Sequence, residues 1–237
     1  MPRQVTIVLT KKHVALIPAY NEQRNIREVI LHMRRHPHID VIVIDDGSID
    51  ATSKIIKRMG VILVRHEINK GKGEALNTGF RYILEKHKKA KYVVLIDADL
   101  QYHPNEAPKI LKPLEDGKAD FVMGYRDFSR MPFRHVLGNF VWRGFFNLFF
   151  GTNFKDTNCG YMAMTTEAIR KIGRVHGGYI IENSMLAQAV RKRLRVRQVL
   201  VNVSYKNLSK VPRGIRVVAG VLIFIVAEGF KYRLGIK

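Results

Sequence analysis

The sequence predicts an α/β protein built on a doubly wound, mostly parallel sheet with helices on both faces. Three observations lead there: short apolar runs alternate with amphipathic segments, each run ends in polar or glycine-rich residues, and 237 residues suit one large domain with a substantial core. In chain order, His13 to Ile17, Asp40 to Ile44, Val61 to Arg65, Tyr92 to Ile96 and Asp120 to Gly124 read as strands. Between them, Gln23 to Arg35, Ala51 to Met59, Gly73 to Lys88 and Pro104 to Glu115 read as helices, with Pro104 suited to an opening turn.

The regularity stops after Gly124. Residues 126–135 read as a loop carrying Arg126, Arg130 and Arg134, and residues 137–150 as a helix crowded with Phe140, Trp142, Phe145, Phe146, Phe149 and Phe150. From Tyr161 the pattern gives a strand, a short helix, a helix from Ile181 to Arg193 and a strand from Arg197 to Ser204; the tail is helical from Ile215. There is no internal repeat, low-complexity segment or flexible linker. The expected division is a main domain over residues 1–210 and a basic, apolar C-terminal helix over 211–237, read as amphipathic and lying on a membrane surface.

A hydrophobic share of 46% with 26% charged residues excludes collagen-like and disordered classes. Forty-one Lys and Arg against 20 Asp and Glu give a formal charge of +21. An anionic partner is expected: nucleic acid, an anionic membrane or a phosphorylated substrate. The one cysteine, Cys159, forms no internal disulfide and no zinc site by itself, which points to a reducing compartment. The apolar run Val5 to Leu9 is too short for an export signal. The longest apolar run, Val217 to Ala227, would extend about 17 Å as a helix against a bilayer core of about 30 Å.

The sharpest chemical pattern is Asp97-Ala98-Asp99-Leu100-Gln101 directly after an apolar strand. In open α/β sheets ligands bind outside the carboxyl ends of strands. Two carboxylates and an amide oxygen suit Mg²⁺ or Mn²⁺, with positions left for water and phosphate. After the second strand, Asp46 is a candidate reader of a nucleobase or ribose, and Asp50 a helix cap. After the first, Tyr20 offers a stacking face and Glu22 an acceptor. Gly71-Lys72-Gly73 precedes a helix, where backbone N–H groups and a lysine can meet phosphate. Arg126 and its neighbours are placed to neutralise a diphosphate. The aromatic-rich helix reads either as a core helix or, with Trp142 beside Arg143, as an interfacial anchor. Between Glu182 and Glu228 the chain carries many cations and no acid. Followed by an apolar helix, this composition suits attachment to an anionic membrane surface.

Taken in order, Pro18 to Glu22 (PAYNE), Asp45 to Ser48 (DDGS), Lys70 to Gly73 (KGKG), Asp97 to Gln101 (DADLQ), Gly124 to Arg126 (GYR) and Asp156 to Tyr161 (DTNCGY) make a specific set. The sequence resembles the family 2 glycosyltransferases of GT-A fold over about residues 13–212, most closely the dolichyl-phosphate mannose synthase branch. The resemblance implies that Pro18, Tyr20, Glu22, Ile44 and Asp46 line a nucleotide-sugar pocket with Lys72 and Ala98. It implies that Asp97, Asp99 and Gln101 hold Mn²⁺ or Mg²⁺, that Arg126 and Arg134 lie near the phosphates, and that Lys210 belongs to a loop over the donor. That loop departs from the branch pattern, with Ser204 and Lys206 at arginine positions and Asn207 and Leu208 for Gly and Glu.

The function so implied is inverting transfer of one hexose from a nucleotide-diphosphate sugar, GDP-mannose favoured over UDP-sugars, to a polyprenyl (dolichyl) phosphate. Asp99, Arg126 and Arg134 are the expected catalytic residues. The expected location is peripheral, on the cytoplasmic inner face of the cell membrane. A separate transmembrane partner is a further expectation, since relatives of the branch carry such helices; a nucleic-acid partner is not expected. One rival is transfer to a saccharide or glycolipid hydroxyl with Glu182 as base; a second is a basic nucleic-acid-binding module, which +21 alone would allow. A phosphate monoester, with a second pKa of about 6, needs no strong base.

Overall fold

All seven residues of Ile39–Asp45 are buried, the mark of a strand covered on both faces, and the sheet is built outward from it. The computed structural model describes residues 10–130, 133–178, 180–204 and 215–236, with backbone alone at 130, 133–137 and 215–218. The first half is β1 (His13–Ala19), α1 (Ile26–Arg34), β2 (Ile39–Asp45), α2 (Thr52–Met59), β3 (Ile62–Arg65), α3 (Lys72–Lys86) and β4 (Tyr92–Leu95). The second is α4 (Ala107–Glu115), β5 (Phe121–Arg126), α5 (Phe133–Phe150), β6 (Met162–Thr165), α6 (Thr166–Ile172), α7 (Ile181–Arg191), β7 (Val196–Val201) and α8 (Ile215–Arg233).

The seven strands lie in the order β3-β2-β1-β4-β6-β5-β7. β1 has β2 on one side and β4 on the other, both parallel to it. The loops leaving β1 and β4 therefore diverge, which opens a crevice at the carboxyl edge. β6 runs antiparallel between β4 and β5, so the sheet is mixed at the point where the sequence loses its regularity. Several boundaries differ from expectation. β5 runs on to Arg126, α1 starts at Ile26 because residues 21–25 are spent on turns, and α5 starts at Phe133, inside the expected loop.

Two expectations for the aromatic and C-terminal helices are corrected. Trp142 is buried, not interfacial: with Phe146 and Phe150 it forms the inward stripe of α5 at helical spacing, and the exposed aromatics are Phe140 and Phe145. α8 is not amphipathic in the charged-against-apolar sense. Val221 and Ile225 are buried while Ile223 and Phe230 stand exposed, so apolar side chains occupy both faces. α8 packs on α5 where Gly229 meets Phe149; a Cβ on Gly229 would lie 2.3 Å from that side chain, so only glycine permits the approach. Arg233 donates to the carbonyls of Phe149 (2.8 Å) and Leu148 (2.7 Å), closing the end of α5. Among the described residues no helix is long and apolar enough to cross a membrane.

Candidate active site

Three strand-end loops build the site. The turn after β1 is stitched to the loop after β2: Asn21 N–H donates to Ser48 Oγ (2.9 Å), Glu22 N–H to Thr52 Oγ1 (2.8 Å), and Asn21 Oδ1 accepts from Ile49 N–H (3.0 Å). Asp50 accepts from Thr52 N–H (2.9 Å) in an Asx-type turn just before α2; the cap position itself is Ala51, which makes no side-chain cap, so the expectation of Asp50 as the cap is corrected by one residue. After β4, Asp99 Oδ1 accepts from Gln101 N–H (2.9 Å), an Asx-type turn. Two non-glycine residues in these loops, Asn21 (φ 56°) and Leu100 (φ 60°), take the left-handed conformation, a strain tolerated where the surroundings fix it. Leu100 in that conformation separates Asp99 from Gln101.

A cavity of about 350 Å³ lies beneath these loops, lined by Pro18, Tyr20, Glu22, Asp46, Lys72 and Ala98 among others. It adjoins a larger one of about 710 Å³ that reaches Gln101, Arg126 and Glu182. Glu22, Lys72, Asp97 and Asp99 line both, so the two are halves of one cleft. Tyr20 is 44% exposed and free to stack.

Lys72 crosses the middle of this cleft. Its Nζ lies 2.7 Å from Asp97 Oδ1 and 3.1 Å from Glu182 Oε1. Burial pushes the ammonium towards losing its proton, but the two carboxylates outweigh that and hold it charged, above its ordinary value. Asp99 and Glu22 have no such partner. Burial raises the Asp99 carboxyl, with the Asp97 charge adding to it, and burial likewise raises Glu22, with Asp99 and Asp97 adding. The cleft therefore holds more carboxylate than its own cations neutralise.

Arg126 is fixed differently. Its Nε and Nη2 donate to the two oxygens of Asp156 at 2.7 and 3.0 Å, and Nη2 also donates to Asn139 Oδ1 of α5 at 3.2 Å. Asp156 is fully buried, so the guanidinium is held in place rather than free to swing onto a ligand. Gly160 passes close behind Asp97: a Cβ there would lie 2.9 Å from Asp97 Oδ2. Its N–H donates to the buried Tyr102 hydroxyl (3.1 Å). Next to it, burial pushes the Cys159 thiol up to about 12, so this cysteine is inert.

Of the residues expected at the site, Pro18, Tyr20, Glu22, Asp46, Lys72, Asp97, Ala98, Asp99, Gln101 and Arg126 come together around the cleft. Ile44 does not join them: it is wholly buried in β2 and lines neither cavity. Lys210 lies outside the described residues, as do the side chains of Arg130 and Arg134. Part of the glycine-rich turn is already engaged. The N–H groups of Lys70 and Gly71 donate to Asp46 at 3.0 and 2.7 Å, because a buried carboxylate needs those donors. Sequence reading missed His66, whose Nδ1 lies 2.6 Å from Asp46 while Nε2 meets Thr78 Oγ1 (2.9 Å). It also left Asp156 without a role, although the residue opens a motif already singled out. His66 sits alone at a strand end with no local pattern to mark it.

Carboxylates, two cations and a stackable ring thus meet in one cleft at the switch point of the sheet, where open α/β folds bind their ligands. The chain matches glycosyl transferase family 2 over residues 14–173 and belongs to that family. This sets aside the reading as a nucleic-acid-binding module. The UDP-N-acetylglucosamine–dolichyl-phosphate N-acetylglucosaminyltransferase of Methanococcus voltae is 29% identical over 233 residues, 88% of this chain and 92% of that one. Polyprenol monophosphomannose synthase of Mycolicibacterium smegmatis is 25% identical over 86% of this chain and 81% of its own. Glucosyl-3-phosphoglycerate synthase from Mycobacterium tuberculosis, solved with Mn²⁺, UDP-glucose and phosphoglyceric acid, superimposes with a TM-score of 0.72 at 22% identity, over 96% of this chain and 81% of that one.

Proposed function

We propose that the protein is an inverting, divalent-metal-dependent transferase that moves one hexose from a nucleotide-diphosphate sugar to a polyprenyl phosphate at the inner face of the cell membrane. The observation that carries this reading is the single cleft that joins Tyr20 and Asp46 to the Asp97–Asp99 pair and to Arg126. Tyr20 would stack on the base. Asp46, already held by His66 and two backbone donors, would have one acceptor site left, on Oδ2, for base or ribose.

The donor set fits Mn²⁺ or Mg²⁺. Asp97, Asp99 and the Gln101 amide are hard oxygen ligands, and the raised Asp99 and Glu22 carboxyls mark a cleft short of positive charge. Among the described residues no three His, Cys, Asp or Glu side chains gather tightly enough to hold a metal alone. When bound, the ion would neutralise charge developing on the departing diphosphate. Arg126, locked by Asp156, supplies a second fixed positive charge with no reorganisation cost. Lys72 would hold Asp97 and Glu182 in place.

Glu182 bears on the acceptor. A hydroxyl nucleophile needs a base with a free acceptor oxygen; Oε1 of Glu182 accepts from Lys72, so Oε2 would have to serve, and this rival is kept for the test. A lipid phosphate, ionised at neutral pH, needs none. For the donor, GDP-mannose was favoured by the resemblance, while the named relative with the higher identity takes UDP-N-acetylglucosamine, so both belong in the test.

The test is transfer from labelled GDP- and UDP-sugars to a short polyprenyl phosphate, with Mn²⁺ or with EDTA, followed by organic extraction. Metal-dependent label in the lipid phase is the expected result and names the donor. Donor binding without lipid product, together with loss of transfer to a saccharide in Glu182→Gln, would move the acceptor to a hydroxyl.

A further inference from the structure

α8 has three flanks with different surroundings. One meets α5, where Gly229 and Phe230 touch Phe149, the rings of Phe149 and Phe230 lying 5.0 Å apart. A second faces α7, where Glu228 Oε2 lies 2.6 Å from Arg191 Nη1. The third carries Ile223, 69% exposed, and Phe230, 55% exposed, and runs on to Leu234, with no charge among its exposed residues. On α5, Phe140 and Leu148 are exposed as well.

The α7 flank is a groove of about 740 Å³, lined by Arg191, Lys192, Arg193, Glu228, Lys231 and Tyr232 among others. Four cations face one carboxylate there. Glu228 is already shared between Arg191 (2.6 Å) and Lys231 (2.8 Å), and Arg191 also donates to the Ile236 carbonyl (2.6 Å). Lys192 and Arg193 are exposed and have no acidic partner among the described residues. Arg193 also adopts φ 53° at the end of α7, where glycine would be relaxed, so a charged side chain stands at a position that backbone geometry disfavours. The groove lies one helix length from the cleft: Glu182 opens α7 and Arg191 ends it, about 14 Å away along the axis.

We infer that this groove binds the phosphate headgroup of an anionic phospholipid while the adjoining exposed stripe of α8 and α5 sits among the acyl chains. The inference rests on the membrane-facing reading of the function and adds to it a second, non-catalytic anion site. Charge complementarity selects the occupant: unneutralised cations beside exposed apolar side chains match a ligand with a negative head and an apolar tail.

The test is vesicle co-sedimentation of the full chain with phosphatidylcholine vesicles, with and without phosphatidylglycerol, and with no nucleotide sugar present. A cation at an anionic surface is worth about fivefold in affinity, so Lys192→Gln with Arg193→Gln is expected to weaken binding to phosphatidylglycerol vesicles about thirtyfold. Both side chains are exposed, and an unchanged melting temperature checks the fold. The comparison variant is Lys88→Gln with Lys89→Gln, an exposed pair outside the groove. An equal loss in that pair would make the attraction a property of net charge and overturn the site, as would unchanged binding in the groove variant. Stabilisation by soluble glycerol phosphate at the same phosphate concentration would reassign the groove to free phosphate and overturn the lipid assignment. The assay reads no transfer, so failure of the transferase reading, seen with a soluble acceptor in detergent, is separate from failure here.

Discussion

The two edges of the sheet carry ionisable clusters with opposite needs. At the carboxyl edge, burial raises the Asp99 and Glu22 carboxyls beside Asp97, in a cleft open to ligands. At the amino edge, burial lowers His13, against the opposing pull of Glu115, and His87, against that of Asp40. His13 Nε2 lies 2.7 Å from Glu115, its ring stacks on Tyr92 at 5.2 Å, and His87 Nε2 lies 3.1 Å from Asp40. One edge holds more carboxylate than Lys72 and Arg126 neutralise and is open to a further cation; the other keeps its imidazoles neutral and packed. Similar side chains therefore serve ligand binding at one end of the strands and folding at the other.

The largest effect is expected where the carboxyl edge is itself closed. Asp156→Asn leaves the buried Arg126 guanidinium without its bidentate partner and should cost about 3–5 kcal/mol in denaturant unfolding. A loss under 1 kcal/mol would mean that Arg126 is as open as Asp99. Next comes Asp99→Asn, expected to lower transfer by about 10²–10³-fold. The same change should raise the melting temperature: a carboxyl whose folded-state value lies above its unfolded one is ionised at neutral pH at the expense of stability. A fall in melting temperature would make Asp99 a structural residue and erase the contrast between the edges.

The amino edge predicts a smaller, pH-dependent effect. The lowered His13 and His87 bind protons less readily folded than unfolded, so stability is present above the unfolded value of 6.5 and declines as pH falls below it. Each group contributes a slope of at most about 1.4 kcal/mol per pH unit. His13→Gln should flatten the curve of unfolding free energy between neutral pH and the carboxylate range; an unchanged slope would show that His13 takes up its proton as readily in the fold as in the unfolded chain. Smallest is the response of Cys159, whose thiol is buried and raised to about 12. Iodoacetamide should modify it in the unfolded chain and leave the native chain unmodified over the same interval, as read by mass spectrometry.

The strands, the order of the strand-end motifs and the gathering of Tyr20, Asp46, Asp97, Asp99 and Gln101 were legible in the sequence. Strand periodicity and the residues that follow a strand are local properties, and a parallel sheet brings its carboxyl ends together whatever their separation along the chain. Tertiary structure alone decided the antiparallel β6, the burial of Trp142, and the partners of the charged residues. A helix crowded with aromatics does not state which face turns inward until its neighbours are placed. Lys72 finds Asp97 at 25 residues' distance and Glu182 at 110, and Arg126 finds Asp156 at 30. Residue type says that each of these charges needs a partner when buried; which partner it meets depends on strand order and helix packing, and these bring together segments with no local signal in common.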